Sequence, residues 1–214
     1  MYKILVINPN SNEDVTTKLT AIFRDYPKKK KTKVECISLK QGPFGIETDE
    51  DINYVAPLVL NKIRNKLSSF DAFIIACYSD PGLRESVLTF SAPIYGIHET
   101  TVKYCHHQRK NFGVIALGED SIIRHEKYID KLNLKKFYVG ETSLDIDVDE
   151  AVNGESTMDK ILTASKYLID EKDAQIIILG CAGMARYRDS LEELLGINVL
   201  DPVQASVDYA IMSL

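Results

Sequence analysis

The sequence lacks any apolar run long enough to cross a bilayer, and even the run Ile176–Leu179 has only the length of a strand. It also lacks an excess of positive charge, because 31 acidic residues outnumber 26 basic ones and leave a net charge of −5. Closely spaced cysteine pairs are missing too, although the chain has four cysteines. These absences argue against a membrane protein, a nucleic-acid-binding protein and a disulfide-stapled secreted domain.

The amino-terminal residues contain a short apolar stretch, but they lack the length and the small-residue cleavage site of a signal peptide. We therefore expect a cytoplasmic protein with reduced thiols. With 214 residues, of which 45% are hydrophobic and 27% charged, the chain has the composition of a globular protein with a sizeable core. The expected partner is a small-molecule substrate, and neither nucleic acid nor a membrane.

The usual cofactor motifs are missing as well. No G-x-G-x-x-G follows the first apolar stretch, where N-P-N-S-N stands at residues 8–12, so a nicotinamide or flavin cofactor is not expected. No phosphate-binding G-x-x-x-x-G-K occurs. His98-Glu99 begins like a zinc motif, but Val102 stands where its second histidine belongs. The sequence therefore predicts no cofactor and no metal.

Short apolar strands alternate with helical patterns along the chain, which is typical of a parallel sheet covered by helices. In the first half we predict strands at 3–7, 32–39, 72–76 and 93–97. A helix capped within residues 10–12 is expected to reach about residue 26, and others to span 50–67 and 82–89. The four lysines at 28–31 are predicted to form a solvated loop.

The second half repeats this order, which predicts a duplicated α/β unit. Its predicted strands are 112–117, 136–139, 176–180 and 197–200. Its predicted helices are one capped by Asp120 or Ser121 that reaches about residue 132, one at 158–170 and one at the carboxyl terminus. The acidic residues Asp145, Asp147 and Asp149 are predicted to lie in a solvated loop.

Two similar segments, D-A-F-I-I-A-C at 71–77 and D-A-Q-I-I-I-L-G-C at 173–181, each place a cysteine after a buried strand. Cys77 and Cys181 lie about half the chain length apart, at matching places in the two halves. Because ligands collect at the carboxyl ends of parallel strands, we expect both cysteines at one cleft. Cys36 is interpreted as a core residue, and Cys105 is given no role.

A pair of thiols is suited to inverting a carbon next to a carbonyl, because one thiolate removes a proton and the other thiol supplies one from the opposite face. The turns after both cysteines lead toward predicted helices, whose amino termini would lower the pKa of the thiols. The opposing interpretation is that each cysteine is a small buried hydrophobic residue. A thiol-redox protein is disfavoured by the absence of C-x-x-C.

The chain resembles the Asp/Glu/hydantoin racemase superfamily, in particular its hydantoin and allantoin racemase branch. The matching motifs are I-N-P-N-S at 7–11, G-P-F-G-I-E at 42–47, A-C-Y-S-D-P-G-L at 76–83 and L-G-C-A-G-M at 179–184. The resemblance implies an α/β fold of two similar Rossmann-like lobes with parallel sheets, related by a pseudo-twofold axis, with the active site between them. It also implies catalysis without a cofactor and a homo-oligomer.

The resemblance implies roles for particular residues. Cys77 and Cys181 would be the acid/base pair, and the substrate pocket would be lined by Asn10, Ser11, Ser79, Gly118, Ala182 and Gly183. We expect residues 1–98 and 203–214 to form the lobe that carries Cys77, and residues 99–202 the lobe that carries Cys181.

Aspartate and glutamate racemases usually carry C-N-T and G-C-T at these cysteines, whereas this chain has Tyr78-Ser79 and Ala182-Gly183. That departure favours a racemase for a cyclic ureide, a 5-substituted hydantoin or allantoin. The alternatives are an aspartate or glutamate racemase, a related decarboxylase or cis–trans isomerase, and a non-catalytic small-molecule binding protein. Arg84 and Arg186 keep a carboxylate-binding role open, and His125 is predicted to lie on a helix that faces either the cleft or solvent.

Overall fold

The structure is a computed structural model that describes residues 1–24 and 31–214. It contains two four-stranded parallel sheets with helices packed against them. This architecture confirms the predicted α/β fold of two similar lobes. The predicted end of the first helix near residue 26 and most of the lysine run at 28–31 lie outside the described residues.

The first sheet has the strand order β2-β1-β3-β4. The first half of the chain forms, in sequence, β1 Tyr2–Asn8, α1 Glu13–Arg24, β2 Thr32–Ser38, α2 Asp49–Arg64, β3 Ala72–Ile75, α3 Leu83–Thr89, β4 Ile94–Gly96 and α4 Ile97–Gln108.

The second sheet has the order β6-β5-β7-β8, which repeats the order of the first. The second half forms β5 Phe112–Ala116, α5 Glu119–Lys131, a 3₁₀ helix Lys135–Phe137, β6 Tyr138–Ser143, α6 Val148–Asn153, α7 Thr157–Lys172, β7 Ile176–Leu179, a 3₁₀ helix Ala182–Tyr187, α8 Arg188–Leu195, β8 Asn198–Leu200 and α9 Pro202–Ser213.

The cysteine-bearing strands occupy equivalent central positions in the two sheets. In the first sheet β3 pairs with β1, with Ile75 opposite Ile7, and in the second β7 pairs with β5, with Leu179 opposite Ile115. All residues of β3 and β7 are buried, as expected for strands covered by helices on both faces. Both strands therefore deliver the residues that follow them to the carboxyl edge of their sheet.

The side chains of β1 alternate between two apolar cores. Leu5 and Ile7 pack into a smaller core with residues of α2 and α3, whereas Ile4 and Val6 join a larger core that continues into the second sheet. Late in the chain, α9 packs against α4 and also contacts β3 and β4. The lobe boundaries expected above, 1–98 with 203–214 and 99–202, stay a prediction.

Three local predictions in the second half were wrong. Residues 135–137 form a 3₁₀ helix, so β6 begins at Tyr138 rather than at residue 136. Asp145 and Asp147 lie in a loop as predicted, but Asp149 lies in α6, which Asp147 caps by accepting a hydrogen bond from the Glu150 N–H at 2.7 Å. Finally, α5 is capped by Gly118 without a side-chain hydrogen bond, and not by Asp120 or Ser121.

Across residues 1–24 and 31–214, the structure has no helix that combines the length and the apolar character needed to span a membrane.

Gly180 tests how closely the second sheet packs beside the cysteine turn. A Cβ atom at this position would lie 2.6 Å from the carbonyl oxygen of Ile115 and 2.9 Å from a methyl carbon of Val114. We expect Gly180→Ala to lower the free energy of unfolding by about 1–3 kcal/mol, measured by denaturant unfolding.

Gly118→Ala is the matched control, because a Cβ atom there would have no neighbour within 4 Å and its φ of −143° suits any residue. Its free energy of unfolding should fall by less than that of Gly180→Ala, because the only expected loss is the preference of the helix cap for Gly over Ala. Equal losses in the two variants would contradict this account of the packing at Gly180.

Candidate active site

The two predicted cysteines line the same cavity. Cys77 follows β3 by two residues and Cys181 follows β7 by two, so each stands where a strand turns at the carboxyl edge of its sheet. The cavity has a volume of about 40 Å³, enough for a few water molecules. Its lining consists of Asn10, Val15, Ile46, Ala76, Cys77, Tyr78, Ser79, Leu117, Ser121, His125, Val148, Gly180, Cys181, Ala182 and Gly183.

Most of the residues predicted to form the substrate pocket lie in this lining. Asn10, Ser79, Ala182 and Gly183 are part of it, whereas Ser11 and Gly118 are not, although each is adjacent to a residue that is. The Asn10 carboxamide has a fixed orientation, because its Oδ1 accepts hydrogen bonds from Asn8 Nδ2 at 2.8 Å and from the Asn12 N–H at 3.0 Å. Its amide nitrogen is therefore the group left for a ligand.

Sequence reasoning missed several lining residues. Ile46 lies in the G-P-F-G-I-E motif, which was recognised as a family match but not as part of the cavity wall. Val148 begins α6, which was predicted as a solvated loop. Tyr78 and His125 are buried, with 3% exposure each, and the adjacency of Tyr78 to Cys77 was the available signal for it. The sequence left open whether His125 faces the cleft or solvent, and in the structure it lines the cavity.

Burial dominates the acidity of both thiols. It raises the pKa of Cys77 to about 12 and that of Cys181 to about 11, and the neighbouring backbone N–H groups of Ser79 and Gly183 only partly oppose this effect. The Gly183 N–H donates to Cys181 Sγ at 3.4 Å. The expected lowering of the thiol pKa by the following turns is thus outweighed by desolvation. Cys181 and Asp80 raise the pKa of Cys77 further, since like charges repel. Asp201 and Glu47 do the same for Cys181.

Two buried aspartates hold the helices that follow the last strand of each sheet, Asp80 from the turn after Cys77 and Asp201 from the position directly after β8. Asp80 accepts hydrogen bonds from the N–H groups of His98 at 3.1 Å and Glu99 at 2.8 Å, in the first turn of α4. Asp201 caps α9 by accepting from the Gln204 N–H at 2.7 Å. Burial raises the pKa of both carboxyl groups to about 7. They anchor the helices that follow the last strand of each sheet.

His125 is held in the cavity wall by a buried carboxyl group and by aromatic rings. Its Nδ1 lies 2.8 Å from Glu141 Oε2, and the Glu141 side chain is fully buried. The imidazole meets the Tyr78 ring edge-on, with centroids 4.9 Å apart, and the His98 ring at 5.1 Å. His98 in turn stacks on Tyr78 at 4.3 Å. These contacts leave little freedom for the imidazole to rotate.

The cavity wall carries no Asp, Glu, Lys or Arg side chain from any described residue. Arg84 and Arg186, the arginines that the sequence kept open for carboxylate binding, are exposed and outside the lining. Arg124 is nearer, but its guanidinium donates to the Glu47 carbonyl at 2.8 Å and to Ser121 Oγ at 3.1 Å. No described charged side chain therefore lines the cavity, although the Arg124 guanidinium lies close enough to lower the pKa of Cys77 and of His125.

Hydrogen bonds cross the cleft between the two halves of the chain. Glu47 Oε1 accepts from the Val148 N–H at 3.2 Å, which ties the G-P-F-G-I-E loop to α6. Lys18 of α1 donates to the Val152 carbonyl at 2.5 Å and to Asn153 Oδ1 at 2.7 Å. These contacts hold α6 against the first half of the chain.

Within the part of the chain that the structure describes, no group of three or more His, Cys, Asp and Glu side chains is arranged to hold a metal ion. The cavity lining contains two thiols, one imidazole, one carboxamide and three side chains with a hydroxyl group, those of Tyr78, Ser79 and Ser121. This set can move protons and form hydrogen bonds with a small ligand.

Similarity to known proteins identifies the family to which this chain belongs. The family model for Asp/Glu/Hydantoin racemase matches residues 4–210. A hydantoin racemase from Pseudomonas sp. (strain NS671) is 31% identical over 97% of this chain and 84% of the relative, and one from Rhizobium meliloti is 28% identical over 97% and 86%. The solved allantoin racemase from Klebsiella pneumoniae superimposes with a TM-score of 0.92 at 24% identity, over all of this chain and 87% of the other.

The fold and the cleft define a two-lobed α/β enzyme in which each half presents one cysteine. The extent of the model match and the 31% identity then show that the chain belongs to the Asp/Glu/hydantoin racemase family, which confirms the resemblance drawn from its motifs. It is an isomerase of the racemase class.

The raised pKa values predict how the two thiols react with iodoacetamide. Because only the thiolate is alkylated, labelling of Cys77 and Cys181 in the ligand-free protein should be slow at pH 7 and rise about tenfold per pH unit up to about pH 10. Cys181, with the lower pKa, should react first. Peptide mass spectrometry at several time points and pH values measures both rates.

Cys77→Ala and Cys181→Ala, each retaining the other thiol, identify which site produces each signal. Glutathione in the same solutions serves as an exposed reference thiol, whose rate levels off near its ordinary pKa of about 8.5–9. A plateau at that same pH for Cys77 or Cys181 would contradict the dominance of burial.

Proposed function

We propose that this chain is a cofactor-independent racemase that inverts the carbon next to a carbonyl in a cyclic ureide, a 5-substituted hydantoin or allantoin. Cys77 and Cys181 act as its acid/base pair. The observation that carries the proposal is the convergence of these two thiols, from equivalent strands of two similar half-chains, on one cavity without charged side chains.

The reaction is balanced in protons and electrons. One cysteine thiolate takes the proton from the stereocentre and becomes a thiol, and the electron pair of the broken C–H bond moves into an enolate. The other cysteine thiol then gives its proton to the opposite face of the carbon and becomes a thiolate. The two enantiomers present opposite faces, so Cys77 and Cys181 exchange roles when the direction of the reaction changes.

The raised thiol pKa values fit this chemistry. They keep the thiolate scarce in the free enzyme, but the thiolate that does form is a stronger base than an ordinary cysteine thiolate. A strong base is useful because a carbon next to a carbonyl gives up its proton reluctantly. The Asn10 amide nitrogen and the nearby backbone N–H groups are donors for the developing enolate oxygen.

The uncharged wall supports a ureide over an amino acid. A free amino acid would bring a carboxylate and an ammonium group into the cavity, and burying either without an opposite charge is costly. A hydantoin ring offers only carbonyl oxygens and N–H groups at neutral charge, which the carboxamide, the imidazole and the backbone can satisfy. The hydantoin racemases among the relatives support the same substrate class.

The alternatives differ from this proposal in the charge of their substrates. Racemisation of aspartate or glutamate, decarboxylation and cis–trans isomerisation of diacids all require carboxylates to be held, for which the cavity wall provides no cation. A non-catalytic binding protein would have no use for two thiols on one cavity.

We also propose a cytoplasmic location, supported by the four free cysteines, and a homo-oligomer.

Replacing either cysteine tests the acid/base pair. We expect Cys77→Ala and Cys181→Ala each to lower kcat/KM for racemisation by at least about 10²-fold, because each removes one of the two proton carriers. Each variant should still exchange the stereocentre proton for deuterium, with retention, in the one enantiomer that faces its remaining thiol. Circular dichroism follows inversion, and NMR in D₂O follows exchange.

Cys36→Ala is the matched control, because Cys36 is a half-buried thiol of β2 outside the cavity. Reactions without enzyme correct for spontaneous racemisation. Full activity of Cys77→Ala or Cys181→Ala would rule out the two-thiol mechanism.

A substrate panel tests the predicted preference for an uncharged ring. We expect both enantiomers of 5-substituted hydantoins or of allantoin to exchange their stereocentre proton at least about 10²-fold faster, in kcat/KM, than aspartate or glutamate. The wild-type enzyme is incubated with each compound in D₂O and examined by NMR. Faster exchange of aspartate or glutamate would replace the ureide proposal with an amino-acid racemase.

A further inference from the structure

We propose that His125, oriented by Glu141, is a further catalytic residue: its Nε2–H donates a hydrogen bond to the substrate carbonyl oxygen on which the enolate charge develops. This inference rests on the proposed ureide racemase function and adds to it a residue that stabilises the charge after the cysteine has removed the proton.

The first argument is position. His125 lies on α5 of the second half of the chain, lines the cavity together with Cys77 and Cys181, and is only 3% exposed. A histidine on the outer face of a helix would ordinarily be solvated, whereas this one is placed against the site where the reacting atoms must lie.

The second argument is orientation. Glu141 Oε2 engages Nδ1 at 2.8 Å, so Nε2 is the nitrogen left for a ligand. The Tyr78 ring, edge-on at 4.9 Å, and the His98 ring at 5.1 Å restrict the imidazole further. Because Tyr78 follows Cys77 directly in the chain, the same turn that presents the thiol also packs against the imidazole.

The third argument is protonation. Burial lowers the pKa of His125 to about 3, with a smaller contribution from Arg124, and burial raises the pKa of Glu141 well above its usual range, with a contribution from Glu126. Burial therefore disfavours the charged form of each group. A protonated Glu141 donates its O–H to Nδ1, and the hydrogen of the neutral imidazole is then on Nε2.

A neutral N–H donor in this place suits a carbonyl oxygen. It costs no desolvation of a charge, it cannot protonate the carbanion as a strong acid would, and its hydrogen bond strengthens as negative charge builds up on the oxygen. The neutral imidazole also offers no positive charge to a substrate carboxylate, which agrees with a preference for a neutral ring over a free amino acid.

The test compares His125→Phe, which removes the donor, with His125→Gln, which keeps an N–H donor on a flexible chain. Under saturating hydantoin, we expect His125→Phe to lower kcat for deuterium exchange about 10²–10³-fold, with KM changed much less. His125→Gln should recover at least about tenfold of that loss. His107→Gln, at an exposed position of α4, is the control and should match the wild-type enzyme.

Glu141 is a positioning residue, and its role is tested by a signal that packing alone would not move. NMR of ¹⁵N-labelled protein at pH 7 reports which ring nitrogen carries the hydrogen, and the signals missing from His125→Gln are those of His125. They should show the hydrogen on Nε2 and not on Nδ1. Glu141→Gln, which can still donate to Nδ1, should keep that tautomer, and Glu141→Leu should give a mixture of both.

A third measurement separates binding from turnover. Unsubstituted hydantoin is achiral, and its binding to the Cys77→Ala/Cys181→Ala double variant can be followed by calorimetry with and without His125→Phe. Added to the double variant, His125→Phe should weaken binding several-fold at most, because the hydrogen bond is strongest in the transition state.

The outcomes distinguish this inference from the proposed function. If the wild-type enzyme exchanges a ureide and His125→Phe, folded by circular dichroism, has an unchanged kcat, the role of His125 is overturned and the ureide function stands. Hydrogen on Nδ1 in the wild-type protein would also overturn it. If the wild-type enzyme exchanges no ureide, the proposed function fails, and the carbonyl role of His125 fails with it.

Discussion

The structure depends on one apolar core that continues from the first sheet into the second. Ile4, Val6 and Ile74 of the first sheet belong to the same buried cluster as Val114 and Ile178 of the second. Burying each such side chain contributes about 1.5–3 kcal/mol. Helices link the two half-chains, because α1 packs against the 3₁₀ helix Ala182–Tyr187, and α9 contacts both that helix and β3. Because both sheets are parallel and have the same strand order, this packing brings the carboxyl ends of their central strands to a common cavity.

The burial that builds the core also determines the electrostatics of the site. It raises the pKa of Cys77 and Cys181, and it disfavours the charged forms of His125 and Glu141. The hydrogen bond from Asn8 to Asn10 and the contact between Glu141 and His125 then decide which atoms of Asn10 and His125 are left for a ligand. The cavity thus combines strong latent bases with neutral hydrogen-bond donors, a combination suited to removing a proton from an uncharged substrate.

Strongly patterned elements were predictable from the sequence, and weakly patterned ones were not. The runs A-F-I-I and I-I-I-L predicted β3 and β7, because a strand covered on both faces is apolar at every position and these runs have the length of a strand. Strand β6, half-buried along its length, has no comparable signal, and its start was misplaced. Helix α6 was missed because its six residues are held by tertiary contacts, among them hydrogen bonds of Lys18 to Val152 and Asn153.

The sequence by itself determined the α/β class, the duplication, the two cysteines and four of the six residues proposed to line the pocket, because local apolar patterns and short motifs carry that information. Only the tertiary structure decided that His125 faces the cavity, that Glu141 holds it, and that burial raises rather than lowers the pKa of the thiols. Glu141 is 16 residues from His125, on a different element, and burial is a property of everything packed around a group. Neither can be read from the neighbours of a residue in the chain.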